Sequence, residues 1–337
     1  MRAHIGGIRS LRVLPRPARF ARDCLPRASQ WCGIAAGVLL AACGGDDDGG
    51  GLTTDPPRET EMVAQGGFDS PLDAVASLDG ETFFFTAFTT GDPAEAALFS
   101  VPASGGEAAV LHAGFPLEDP TGLVLSCDGR SLYLADIGPD SSELGEGQSL
   151  VYAWDVEGGT LSSITLSGMS EAASLALGPD CETLYATGYA DDGAPGLFRF
   201  GLEGGAAEPV LVGDPLQSPS GVYVDADQVA WVMDHLPRRG SGGVLWAITP
   251  EGEASEVVSG LGLSEPAGVS LVAGGGTAVI ANRTPDGEGQ LLAVQIESGE
   301  RTEIATSMIE PAGLRTAREA GVFAIADSDG DAIYRAR

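Results

Sequence analysis

The stretch Pro120–Asp136, PTGLVLSCDGRSLYLAD, sets two short apolar strands on either side of a tight polar turn. Its opening returns as SPLDAVAS around Pro71, EAASLALG around Ala172, SPSGVYVD around Pro219, EPAGVSLV around Pro266 and EPAGLRTA around Pro311, at intervals of 45 to 52 residues. Its second half returns as FFFTA, LYATG, AWVMD, AVIAN and FAIAD. A third strand then alternates apolar and polar residues (LFSVP, LVYAWDV, GLFRFGL, VLWAITP, LLAVQIE, AIYRAR), as a half-buried strand requires. A glycine turn and a fourth strand complete the unit. Four short strands repeated six times at this period predict an all-β chain, a six-bladed β-propeller of four-stranded blades.

The last repeat has only three strands before Arg337. A match for its fourth lies at the other end: EMVAQGGFDSP from Glu61 reads like EAAVLHAGFPLEDP from Glu107. The N-terminal strand is therefore expected to pair with the C-terminal blade, closing the ring and removing an exposed sheet edge. The propeller is assigned to residues 61–337, behind residues 1–42 as a secretory signal and 43–60 as a Gly/Asp/Pro tether.

Seven arginines precede an apolar run of 12 residues, Trp31–Ala42, too short to span a bilayer but suited to a signal core. Leu40-Ala41-Ala42-Cys43 resembles the lipobox of bacterial lipoproteins. That resemblance implies cleavage before Cys43, acylation of Cys43, and attachment to a membrane in the cell envelope. In the lipoprotein sorting pattern Gly44, rather than aspartate, favours the outer membrane. An ordinary signal with an accidental cysteine is the alternative. Asp46, Asp47 and Asp48 sit in a tether with almost nothing to bury and read as solvated charge. Cys127 and Cys181 occupy equivalent turns of adjacent repeats, CDGRSLYL and CETLYAT, and a disulfide between neighbouring blades is expected.

Removing residues 1–42 takes away seven of the 18 basic and one of the 48 acidic residues, leaving 11 against 47. Such a surface repels nucleic acid and favours cations. Acids ending second strands (Asp136, Asp234, Asp327, with Asn282 in the fifth repeat) should gather with Asp73 at one mouth of the channel, near Glu171, Glu265 and Glu310. Hard oxygen donors suit Ca2+ or Mg2+. The competing reading is that these side chains cap strand-end amides and turns. In MDHLPRRGSGG, His235 is a candidate general base, and Arg238 and Arg239 can clamp a carboxylate or phosphate.

The blade motifs PTGLVLSCDGRSLYLADIG and DSDGDAIYRAR resemble those of NHL-repeat and SMP-30/gluconolactonase-type propellers. Members of that superfamily include metal-dependent lactonases and binding modules without catalysis, so the resemblance alone selects neither. The lactonase pattern implies one divalent cation held by a glutamate, an asparagine in a Pro-Asn-Gly turn and an aspartate ending a second strand. Here the asparagine position carries Thr121 and Ser220. Two functions follow as expectations. One is an envelope-anchored binding or scaffolding module for a small molecule, a glycan or an envelope protein. The other is a metal-dependent lactonase or esterase using Asp136, Asp234 and Asn282, with His235 as base.

Overall fold

A computed structural model of the protein describes residues 55–138, 148–235 and 242–337. Their strands form six sheets in chain order, the blades of a propeller. Blade 1 contains Ala74–Ala76, Thr82–Phe88, Ala96–Pro102 and Ala109–Ala113. Blade 2 contains Gly122–Leu125, Ser131–Ala135, Val151–Asp155 and Thr160–Ile164. Blades 3, 4 and 5 run from inner strands Glu171–Leu177, Pro219–Val224 and Val269–Leu271 to outer strands Gly204–Val212, Ala254–Leu261 and Arg301–Ile304. Leu166–Ser167 adds a short parallel edge to blade 3.

Blade 6 closes the ring as the sequence predicts. Its three C-terminal strands, Pro311–Thr316, Phe323–Asp327 and Ala332–Ala336, accept Thr60–Gln65 as the outer strand. The pairing is antiparallel, with Thr60 opposite Ala336 and Gln65 opposite Ala332. It reaches further back through Arg58 N, which donates to Arg337 O at 2.9 Å. Phe68 then seats the incoming chain on blade 1, its ring centroid 4.7 Å from that of Phe85 and 5.8 Å from that of Phe99.

The core is divided among the blades. Six buried apolar clusters each fill the gap between one adjacent pair. Period-2 geometry explains how one strand serves both neighbours. Phe83, Phe85 and Ala87 face blade 6, while Phe84 between them faces blade 2. In the next blade Leu132 and Leu134 face blade 1, and Tyr133 and Ala135 face blade 3. Second strands such as FFFTA and LYLAD are thus apolar on consecutive positions because both faces are buried. The expected disulfide joins Cys127 of blade 2 to Cys181 of blade 3, with Cα atoms 5.8 Å apart. Spanning 54 positions, it removes about 4 kcal/mol of freedom from the denatured chain in the chain-entropy account.

Candidate functional site

The channel has two different ends. On the entry face, chains arrive at inner strands and leave second strands. On the turn face lie the hairpins joining inner to second strands. Between them the inner strands press together closely enough to demand small residues. A Cβ on Gly122 would meet Ser174 Cα of blade 3 at 2.7 Å. One on Gly221, Gly268 or Gly313 would collide with Ala267, Leu314 or Asp73 of the following blade. Backbone bonds cross the same seams, from Gly268 N to Ala312 O and from Gly313 N to Leu72 O, both 2.9 Å. This is the physical reason for the repeated Pro-x-Gly.

Two blades break that rule, and their exceptions meet on the axis. Where four blades carry the glycine, blade 1 carries Asp73 and blade 3 carries Ser174. Arg315 of blade 6 reaches both: Nη2 lies 3.0 Å from Asp73 Oδ2 and 2.8 Å from Ser174 Oγ. Its Nε donates to Asp73 Oδ2 at 3.3 Å and its Nη1 to Val222 O of blade 4 at 2.7 Å. Asp73 in turn accepts from Leu123 N of blade 2 and Ala74 N, each at 2.9 Å. The ion pair is buried and ties five blades across the channel. Burial pushes the Asp73 carboxyl above the usual carboxylate range, against the pull of Arg315 and the two amides.

On the entry face, the side chains singled out as cation ligands turn onto backbone. Asp136 accepts from the amides of Glu118, Asp119 and Gly138 at 2.8–3.0 Å. Asp234 accepts from Gln217 and Ser218 at 2.9 and 2.8 Å, and Asp327 from Ile309 and Glu310 at 2.9 and 2.7 Å. Asn282 accepts from Gly262 N at 2.9 Å and donates to Arg283 O and Gln290 Oε1. Each pins the chain entering its blade. Among the described residues, no group of three or more His, Cys, Asp or Glu is placed to hold a metal ion. Asp73, expected with them at the mouth, lies within the channel instead.

Other residues form the acidic mouth there. Burial, with Asp136 and Glu265 nearby, raises Asp119 to about 6. Burial, then Glu265, raises Glu171. Glu310 is raised by burial while its ion pair with Arg283, at 3.1 Å, opposes the shift. His235 Nε2 sits 3.1 Å from Ser220 Oγ, and burial draws its imidazole below the usual histidine range against the carboxylates of Glu265 and Asp234. Burial thus biases the His235 imidazole toward its neutral form, beside the Ser220 hydroxyl. Arg238, Arg239 and the lipidation candidate Cys43 lie outside the described residues.

Asp119 carries a measurable consequence. Its folded value of about 6 exceeds the ordinary aspartate value of 3.8, so the folded chain binds the proton more readily. Stability is consequently lost as pH rises from about 4 to about 6, and the loss is complete above that window. Asp119→Asn should raise the melting temperature by about 2–4 °C at pH 7.5, near 1 kcal/mol after allowing for solvent screening, and leave it unchanged at pH 4. Thermal melts at the two pH values test this. An equal gain at both would assign the effect to packing rather than to charge.

The turn face holds the cavity. All six blades line a space of about 580 Å³ on the axis, with Arg315 among its lining residues. The inner-strand row Val75, Val124, Ala176, Tyr223, Ser270 and Arg315 contributes one residue from each blade. Leu78, Leu177, Leu271 and Ala317 add apolar wall, and Arg318 and Asp227 stand exposed among the outer lining residues. Sequence reasoning looked to the opposite mouth. The signal available was the Gly-to-Asp and Gly-to-Ser exceptions of blades 1 and 3, matched by an arginine in the inner strand of blade 6.

Comparison with known proteins supports the architecture. No protein-family model matches this chain, and no curated protein matches it. Solved structures do. The chain is similar to one from a crystal structure of a nidogen/laminin complex, at 15% identity and TM-score 0.60, covering 83% of this chain and 97% of that one. A Bacteroides thetaiotaomicron protein of unknown function matches at 15% identity and TM-score 0.60, covering 85% and 74%. An auxiliary nutrient binding protein from Bacteroides ovatus matches at 12% identity and TM-score 0.58, covering 85% and 75%. The likeness is one of fold. This chain is a six-bladed β-propeller.

Proposed function

We propose that this chain is a binding module of the bacterial cell envelope, tethered to the outer membrane through an acylated Cys43, and that it holds a small molecule in the axial cavity of the turn face. The observation that carries this reading is the cavity itself. About 580 Å³ falls within the range of ordinary small-ligand sites, and its walls are mostly apolar with a few polar groups. The Asp73–Arg315 stopper and the crowded glycine seams give it a rigid end wall, which favours a preformed site over one that must be ordered on binding. A structural neighbour described as an auxiliary nutrient binding protein accords with a binding role on this fold. A small molecule suits an axial cavity better than a glycan chain or a protein surface does.

The test is fluorescence titration of the purified protein with the neutral dye N-phenyl-1-naphthylamine. One dye should bind per chain with enhanced emission, and Val124→Trp, which fills the cavity from its wall, should abolish binding without lowering the melting temperature by more than a few degrees. Dye binding that survives Val124→Trp would move the site elsewhere. The metal-dependent lactonase or esterase is the competing reading, with Ca2+ or Mg2+ at the entry face and His235 as base. A single calcium site by calorimetry, lost in Asp234→Ala and accompanied by no dye binding, would replace the binding module with that enzyme.

A further inference from the structure

We infer that the ligand of the axial cavity is an amphipathic organic anion, its carboxylate paired with Arg318 and its apolar body laid along the inner-strand walls. This rests on the binding reading above and specifies the ligand class.

In a chain of 48 acidic and 18 basic residues an arginine has every opportunity to find a carboxylate. Six of the nine arginines among the described residues do so. Arg301 and Arg315 also bond backbone carbonyls. Arg130 and Arg318 have neither an ion pair nor a side-chain hydrogen bond among the described residues, and of the two it is Arg318 that stands exposed among the residues lining the cavity. Its electrostatic neighbour is Tyr223, which lines the cavity from blade 4 as Arg318 lines it from the blade 6 turn. A planar, permanently charged group of five donors is the natural partner of a carboxylate.

The other charged groups of the lining fit this placement. Arg315 is already neutralised by Asp73 and makes four hydrogen bonds. A guanidinium has five N–H donors, so Arg315 can offer one more bond but no free charge. Asp225 of blade 4 accepts from Trp231 Nε1 and from the amides of Asp227 and Val229, all at 2.9 Å. Asp227 is exposed on the same turn of blade 4, and no ion pair joins it to Arg318 on the blade 6 turn among the described residues. The anionic end of a ligand is thereby directed to blade 6. Val124, Leu177, Leu271 and Ala317 offer apolar wall for its body, with Ser270 and Thr316 as polar points within it. An inorganic anion would use none of that wall, and a neutral hydrocarbon would leave Arg318 unpaired.

The experiment is calorimetric titration of the purified protein with 4-phenylbutyrate and with 4-phenylbutanamide, a neutral counterpart of nearly the same shape. The carboxylate should bind about tenfold more tightly than the amide, and its affinity should fall with added salt. Arg318→Gln should weaken the carboxylate by about tenfold while leaving the amide unchanged, and Arg318→Lys should restore part of the loss. Val124→Trp should remove both. Equal affinities for the two probes, unaffected by Arg318→Gln, would overturn the anion class and leave the binding module standing. The same conclusion follows if neither probe binds but the neutral dye still does. Failure of the dye as well would end both readings.

Discussion

Arg315→Met should lower the melting temperature by roughly 10 °C at neutral pH, an effect far larger than any surface change in this chain would give. The variant leaves Asp73 fully buried with two backbone amides and no counter-charge, and leaves Ser174 Oγ and Val222 O without their donor. Removing one partner of a buried pair costs about 3–5 kcal/mol, because the remaining charge keeps its desolvation penalty. In a domain of this size each kcal/mol moves the midpoint by about 2–4 °C. The pH dependence has a definite sign. Burial already holds the folded carboxyl of Asp73 high, and losing Arg315 pushes it higher. A raised carboxyl destabilises the folded chain as pH climbs past the unfolded value near 4, so the deficit of the variant should shrink toward acid pH and grow toward neutrality. Arg315→Lys separates charge from geometry. Lysine keeps the charge but cannot bond Asp73, Ser174 and Val222 together, so it should recover only part of the loss. Full recovery would show that the bridging of blades contributes little.

Starting the chain at Asp69 should be more damaging still, with a loss of about 15 °C or no soluble monomer, whereas starting it at Arg58 should change little. Both truncations remove residues 1–57. The longer one also removes the strand Thr60–Gln65, with its pairing to Ala332–Ala336, and Phe68 from its place against Phe85 and Phe99. Loss of a buried phenylalanine alone costs about 3–5 kcal/mol. The exposed edge of Ala332–Ala336 would then offer unpaired backbone groups to other chains, and the truncated protein should self-associate. A synthetic peptide of residues 58–68 added in trans should restore part of the thermal stability. An unchanged melting temperature on starting at Asp69 would show that the strand is an accessory to the ring and does not close it.

How much of this was legible beforehand differs between fold and site. The strand pattern is local chemistry: two-residue alternation and turn glycines recur from blade to blade, and four blades keep the Pro-x-Gly opening, so the copies reinforce one another. The closing strand could be found because EMVAQGGF copies the fourth strand of another repeat. The disulfide could be found because Cys127 and Cys181 hold the same place in neighbouring copies. The strand-end aspartates illustrate the limit of such reading. Asp136, Asp234 and Asp327 have the composition of a metal site, and the sequence places them at one mouth. Their hydrogen-bond partners are amides some 16 to 18 residues earlier in the chain, and only the folded chain shows each carboxylate accepting them.

Repetition along the chain was sufficient to determine the ring, its blade count, its closure and its cross-link, because each depends on neighbours in sequence or on equivalence between copies. The axis was decided by tertiary structure alone. Asp73, Ser174, Val222 and Arg315 lie up to 242 positions apart and meet only where inner strands converge. Closing that ring plugs the channel, leaves a cavity on the turn face rather than at the acidic mouth, and sets among its lining residues Arg318, which has no ion pair among the described residues. The repeat marks Asp73 and Ser174 as exceptions at one position, but which side chain they bond is decided only across the channel, where inner strands of different blades converge.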